Sequence, residues 1–372
     1  MRFASVLATV LALLTAGCAA RHGADVLQTV AAHDSAIKTV TLYVATTRTR
    51  EAPTNNVFST DRAPRLNFAR FTVSIPPDHK PAEIEWPSGT PDPKRNFAVV
   101  DQAVLTRAEF KAALAAAART PRRDFLLYVH GYNNSFQESL FRLAQLTADS
   151  GVPGTPILFS WPSQASLTGY VADKDSVAYS RDDLVTILGD VTATPHAGRI
   201  TLFGHSMGGW LTMEALRQIR LTGKTRIFNR LSQIILAAPD IDIDVFRRQM
   251  EVIGPNHPPM AVLVATDDRA LALSRRISAS KNRLGTLDVT DPEVRQIADK
   301  NRIQIIDITQ IKAIDGANHA RFVELAALMP KLAESEKRRS GTPIGQAGAF
   351  VLDAVGTTIS APFRIGSRAL AN

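Results

Sequence analysis

The stretch from Ile200 to Ile219, "ITLFGHSMGGWLTMEALRQI", breaks an apolar run at Gly204, resumes as a helix at Met207 and holds one serine between glycines. A core strand needs neither glycine, and Ser206 gains nothing from packing between His205 and Met207. The five residues Gly204-His205-Ser206-Met207-Gly208 instead fit G-x-S-x-G, placed after the strand "RITLF" and before the helix "WLTMEALRQI". A sharp strand-to-helix turn holds a serine above the sheet edge. It strains that backbone and brings neighbours close, so glycines flank it. The helix N-terminus beneath offers free N–H groups and positive potential. Ser206 therefore reads as a nucleophile, and a serine hydroxyl needs a base.

Outward from this turn the chain alternates apolar runs with helical ones. Strands are expected at 123–131, 155–163, 199–205, 231–240, 260–268 and 302–309. Helices are expected at 107–118, 135–151, 173–191, 207–221, 244–251, 269–279 and 319–337. Ser135 and Gly151 punctuate the helix between them. Upstream, 39–49 and 68–76 read as strands, 50–67 as a loop and 77–96 as a proline-rich irregular segment. The fold class is α/β, a mostly parallel central sheet with helices on both faces. Right-handed crossovers put the strands' carboxyl ends on one edge, where ligands bind in such sheets.

That edge selects the base. Of eight histidines, His22, His33 and His79 precede the sheet core, and His196 lies before the nucleophile strand. His205 should point away from an elbow serine. His257 sits at the amino end of its strand. His319 follows the strand 302–309, so it shares the edge with Ser206 and can take its proton. The acid should come from another loop there. Asp240, Asp267 and Asp268 all satisfy the order Ser, acid, His. Asp268 is preferred, with Asp267 expected to cap the helix 269–279 and Asp240 to shape the pocket. Two N–H groups should form an oxyanion hole: that of Met207, and that of Tyr132 in the loop "HGYNNSF". Asn133 and Asn134 could add side-chain donors.

The stretches "LYVATTRTR", "FTVSIPPDH", "LLYVHGYNNSF", "ILFSWPSQ", "ITLFGHSMGGW", "IILAAPDIDIDVF", "VATDDRALALSRRI" and "NHARF" run in order from residue 42 to about 323. Together they resemble the α/β-hydrolases, specifically the bacterial esterase/lipase-like group designated DUF900. The resemblance implies the α/β-hydrolase fold. It puts the acid at D-x-A-L, here Asp268, and the histidine at "NH", here His319. The group has one small residue between histidine and aromatic, whereas Ala320 and Arg321 precede Phe322 here.

The remaining features bound the setting. With 372 residues, 45% hydrophobic and 21% charged, the composition is that of a globular domain with decorations. The single cysteine, Cys18, excludes an intrachain disulfide framework and any cysteine-based zinc site. Residues 1–17 read as a signal peptide: Arg2 precedes an apolar run, Phe3 to Leu14, too short for a permanent span. "LTAGC" resembles a lipoprotein box that would acylate Cys18. Residues 18–37 then form a tether, 38–337 the α/β-hydrolase domain and 338–372 a C-terminal tail. The expected location is the cell envelope, anchored by lipid, with the outer membrane favoured because Ala19 is not aspartate. A formal net charge of +8, without interleaved aromatics, argues against nucleic acid and for an anionic lipid or polysaccharide neighbour. The expected activity is carboxylic ester hydrolysis through a Ser206-Asp268-His319 triad and an acyl-enzyme, on a small-molecule or lipid ester. No metal or organic cofactor is required. An amidase, peptidase or acyltransferase would use the same triad, and a scaffolding lipoprotein would keep the fold without turnover.

Overall fold

The structure is a computed structural model that describes residues 21–31, 36–119, 124–151, 154–278, 282–328 and 348–351. The leader, Cys18 and most of the C-terminal tail lie outside these residues. No helix among the described residues is long and apolar enough to cross a membrane.

The core is a ten-stranded sheet in the order β10-β9-β8-β7-β6-β4-β5-β1-β2-β3. Its central strands are β4 (Asp124–Val129), β5 (Gly154–Ser160), β6 (Ile200–His205), β7 (Gln233–Ala237) and β8 (Met260–Val264). These five pair in parallel, as do β9 (Gln304–Asp307), β10 (Gly348–Val351) and β1 (Thr39–Arg50). β5 and β8 are short and almost wholly buried because helices cover both faces. Two hydrophobic clusters result. One gathers Phe110, Leu184, Leu211 and Phe246, the other Phe71, Leu140, Phe141 and Phe322.

The crossover helices are α1 (Arg107–Ala118), α2 (Phe136–Ser150), α3 (Tyr170–Thr192), α4 (Met207–Leu221) and α5 (Ile243–Ile253). Then come α6 (Arg269–Ile277), α7 (Pro292–Asn301) and α8, described over 321–328. Capping boxes Thr106/Glu109 and Ser135/Glu138 start α1 and α2, and Gly151 ends α2 at φ 60°.

The upstream region departs from expectation. β2 runs from Phe58 to Ser74, so most of the segment read as a loop is strand. β3 (Ala98–Leu105) and α7 were not anticipated. β1, β2 and β3 form an antiparallel meander whose register slips between Thr46 and Arg50. Residues 58–67, "FSTDRAPRLN", carry Pro64 and charges that mask strand patterning. This part of β2 runs past the end of β3, which pairs only from Phe68 onward, so one side of its ladder is open and tolerates both.

Candidate active site

The elbow is formed at Ser206, whose φ of 53° and ψ of −121° lie in a region non-glycine residues avoid. Its N–H donates to the Ala237 carbonyl at 2.9 Å. Its carbonyl accepts from Gly209 N–H at 2.9 Å and Asp240 N–H at 3.2 Å. Three backbone bonds thus hold the strained residue between β6, β7 and α4. The flanking glycines answer to space rather than to φ. A Cβ at Gly208 would lie 2.2 Å from the His130 carbonyl oxygen, and one at Gly204 would lie 2.6 Å from Thr212 Oγ1. Helix α4 can therefore seat directly against the end of β4.

β8 ends just before the acid. Asp268 Oδ2 lies 2.7 Å from His319 Nδ1, while Oδ1 accepts the Leu271 N–H at 2.9 Å. One carboxylate both holds the imidazole and caps α6. The capping expected of Asp267 therefore falls to Asp268. Asp267 Oδ2 instead accepts from Arg321 Nη2 at 2.8 Å and Asn318 Nδ2 at 2.9 Å. Asp240 lies in a separate buried cluster, accepting from Tyr170 Oη at 2.9 Å and Ser274 Oγ at 2.6 Å. Arg283 Nε stands 3.1 Å from Asp240 Oδ1 as an ion pair, without the alignment of a hydrogen bond.

His319 is fixed from both sides. Asp315 accepts its backbone N–H at 3.0 Å, and the Arg269 N–H donates to the Ala317 carbonyl at 2.9 Å, tying its loop to that of Asp268. Burial alone lowers the imidazole pKa. The Asp268 carboxylate in contact, with Asp315 and Asp240 further off, outweighs burial and holds it above the ordinary histidine value. With Nδ1 engaged, Nε2 is the free nitrogen. Ser206 Oγ forms no hydrogen bond to His319 among the described residues.

His205 does not point away as expected. Its ring lies 4.7 Å from that of His319 and 4.4 Å from that of Phe322. Burial and the neighbouring His319 keep it neutral. Gly131 closes over the same place: a Cβ there would lie 2.8 Å from His205 Nδ1 and 3.0 Å from Ser206 Cβ. The adjacent Ser206 Cβ and His319 ring thus share a neighbour, and the elbow and the histidine loop converge on one rim. His257, by contrast, is bound to the carbonyls of Pro258 and Asn301 at 2.7 and 2.8 Å.

The loop after β4 brings Tyr132 beside this rim. The N–H of Tyr132 has no partner among the described hydrogen bonds. Met207, as the first residue of α4, has no intrahelical acceptor. The side-chain donor of Asn134 is already used, whereas Asn133 is engaged through its oxygen. Asn134 Nδ2 donates to the Gly131 and Tyr132 carbonyls at 3.2 and 2.8 Å, and Asn133 Oδ1 accepts from Arg21 Nη2 at 2.6 Å.

Beneath the loop lies a residue that sequence reasoning passed over. Arg48, only 1% exposed, donates from Nη2 to the Asn134 carbonyl at 2.8 Å and from Nε to Ser160 Oγ at 3.1 Å. Its Nη1 reaches the Ser163 and Ser59 carbonyls at 3.2 and 3.3 Å. Burial lowers its pKa to about 10, with Asp173 and Glu138 opposing, so it stays charged at neutral pH. Asp173 completes the support, accepting from Ser163 Oγ at 2.6 Å and Gln164 N–H at 2.7 Å. The one available signal was a charged residue inside the apolar strand "LYVATTR". His130 is stacked on Trp161 at 5.0 Å, and burial drives its pKa to about 3, so it is a neutral packing group.

This arrangement, an elbow serine on a parallel sheet with a carboxylate–imidazole pair at the same rim, defines an α/β-hydrolase. Residues 106–336 match the family described as alpha/beta hydrolase of unknown function (DUF900), and the chain belongs to it. No curated protein matches the chain. Among solved structures it is similar to an esterase from Pyrobaculum calidifontis, at 12% identity and TM-score 0.32, covering 72% of this chain and 81% of that one. It is also similar to the putative cell surface hydrolase from Lactobacillus plantarum, at 12% identity and TM-score 0.36, over 60% and 95%. A third likeness is to the naproxen esterase of Bacillus subtilis, at 11% identity and TM-score 0.31, over 81% and 92%.

Proposed function

We propose that the protein hydrolyses carboxylic esters, with Ser206 as nucleophile, His319 as general base and then acid, and Asp268 as the group that orients His319. The single observation that carries this reading is the 2.7 Å contact of Asp268 with His319 Nδ1, which leaves Nε2 for a proton from the elbow serine. His319 Nε2 accepts the Ser206 proton as Oγ bonds to the ester carbonyl carbon. The carbonyl oxygen takes the negative charge and accepts hydrogen bonds from the N–H groups of Met207 and Tyr132. The tetrahedral species collapses, the C–O bond to the alcohol breaks, and the alkoxide leaves with the proton from His319. Water then repeats the sequence on the acyl-enzyme, giving the acid and free Ser206.

An activated serine is tested with a fluorophosphonate probe. Labelling of the native protein but not of Ser206→Ala is the expected result, and no labelling of either rules the mechanism out. Graded p-nitrophenyl esters then define acyl length. Export by residues 1–17 and acylation of Cys18 belong to the same proposal. The lone cysteine after "LTAG" supports them, and intact-mass analysis of the membrane-extracted protein tests them.

A further inference from the structure

Among the described residues few large apolar side chains face water, and four of them stand on two elements joined next to the site. Leu167 is 70% exposed and Val171 66%, on either side of Tyr170; Leu273 is 50% exposed and Ile277 47%, on either side of Ser274. Tyr170 Oη and Ser274 Oγ bind the two oxygens of the same buried carboxylate, Asp240, at 2.9 and 2.6 Å. The start of α3 and the middle of α6 are therefore fastened together. Asp240 N–H in turn donates to the Ser206 carbonyl, and Tyr132 Oη donates to the Leu167 carbonyl. The elements that carry the four apolar side chains are thus tied to the elbow at Ser206.

Helix α6 shows what that rim faces. Its buried residues are Leu271 and Ser274. At 3.6 residues per turn the opposite side carries Arg269, Leu273, Arg276 and Ile277, with Arg275 on one flank. All five are exposed, and neither Arg275 nor Arg276 has an acidic partner among the described residues. Leucine and isoleucine interleaved with unpaired arginines suit a surface that is apolar below and anionic above.

We propose that this rim, formed by Leu167, Val171 and the outer face of α6, docks on an anionic lipid bilayer, with Leu273 and Ile277 entering the headgroup boundary. The arginines contribute the attraction to lipid phosphate, and the mouth of the site then opens onto the membrane. The face stands on geometry and charge and does not depend on turnover at Ser206.

The lone cysteine makes the test direct. In a full-length Cys18→Ser background, Leu273→Cys and Val171→Cys each carry a polarity-sensitive nitrobenzoxadiazole dye. Leu221→Cys serves as control. Leu221 is also exposed, at 56%, but it ends a helix that runs about 22 Å away from the rim. With phosphatidylglycerol/phosphatidylethanolamine vesicles the dyes at 273 and 171 should shift to the blue and brighten, and the dye at 221 should not. Pure phosphatidylcholine should give little response at any position. Adding Arg275→Gln and Arg276→Gln should weaken the apparent vesicle affinity about 25-fold, as should raised salt in direction. These are exposed polar exchanges, and unchanged circular dichroism will show that folding is intact. Silence at both rim positions, an equal response at 221, or affinity untouched by the arginine exchanges would each overturn the proposal.

Discussion

The body that matches the hydrolase family, residues 106–336, and the antiparallel meander ahead of it, residues 39–105, contribute to one site by different physics. The body carries the proposed reacting groups on short local signals. A strained serine is fixed by three backbone bonds, and a carboxylate and an imidazole meet across one 2.7 Å contact. The meander carries none of the proposed chemistry. Through Arg48 it nevertheless reaches 86 residues along the chain to hold the Asn134 carbonyl behind the proposed oxyanion loop. Reacting groups can be read as motifs, whereas the support of a preorganised hole is a network assembled from distant segments. Buried hydrogen bonds of this kind matter because an orphaned partner costs more than the bond is worth in water.

The comparison is broken most severely from the body. Ser206→Ala should lower kcat for p-nitrophenyl ester hydrolysis by about a million-fold with secondary structure retained. A change of less than tenfold would mean that the elbow is structural. Asp268→Asn leaves the shape intact but presents the wrong hydrogen-bonding partner to Nδ1. Its kcat should fall about ten-thousand-fold, with KM little changed. The amide oxygen can still accept the Leu271 N–H and cap α6, so the urea midpoint should change little.

From the meander the expected effect is smaller and of another kind. Arg48→Met orphans the Asn134, Ser163 and Ser59 carbonyls and should cost about 3 kcal/mol of stability. It should also cost on the order of 100-fold in kcat by loosening the Tyr132 donor. Arg48→Lys should rescue little of either, because an ammonium cannot span the same set of acceptors. If Arg48→Met destabilises the protein but leaves kcat alone, the meander is scaffold only.

The pH profile gives the finest distinction. The Asp268 contact raises the His319 pKa above its ordinary value of about 6.5, and the base must be neutral to act. Activity, as kcat/KM, should therefore fall as pH drops through that raised value. In Asp268→Asn the acidic limb should move to lower pH, since the charge that favours imidazolium is gone. In Arg48→Met it should stay where it is, because that guanidinium does not contact His319.

The legible parts share a property. β4 to β8 are buried on both faces, so their apolar runs are continuous and their ends are marked by glycine or aspartate. Their order along the chain then decides which side chains reach one edge, and that was enough to set His319 apart from His257. The segment 58–67 does not read as strand because it extends beyond β3 and keeps polar residues on its open side, so neither composition nor alternation announces it. Asp267 and Asp268 could not be separated by spacing. Adjacent residues at a helix start point in different directions, and only the packed loop at 315–319 shows that Asp267 meets Arg321 and Asn318. His205 was misjudged for a related reason. Its ring lies against those of His319 and Phe322, and strand alternation alone does not show that the His319 loop covers that side.

The sequence by itself determined the hydrolase fold and the sheet edge that carries the proposed site, because the order of strands along the chain, an elbow pentapeptide and chain direction are properties of the covalent chain. Tertiary structure alone decided what Asp267 and Asp240 do instead, what supports the proposed oxyanion loop, and which apolar side chains stay in water. Those outcomes depend on contacts between segments 34 to 115 residues apart, and distance in space is not written in sequence order.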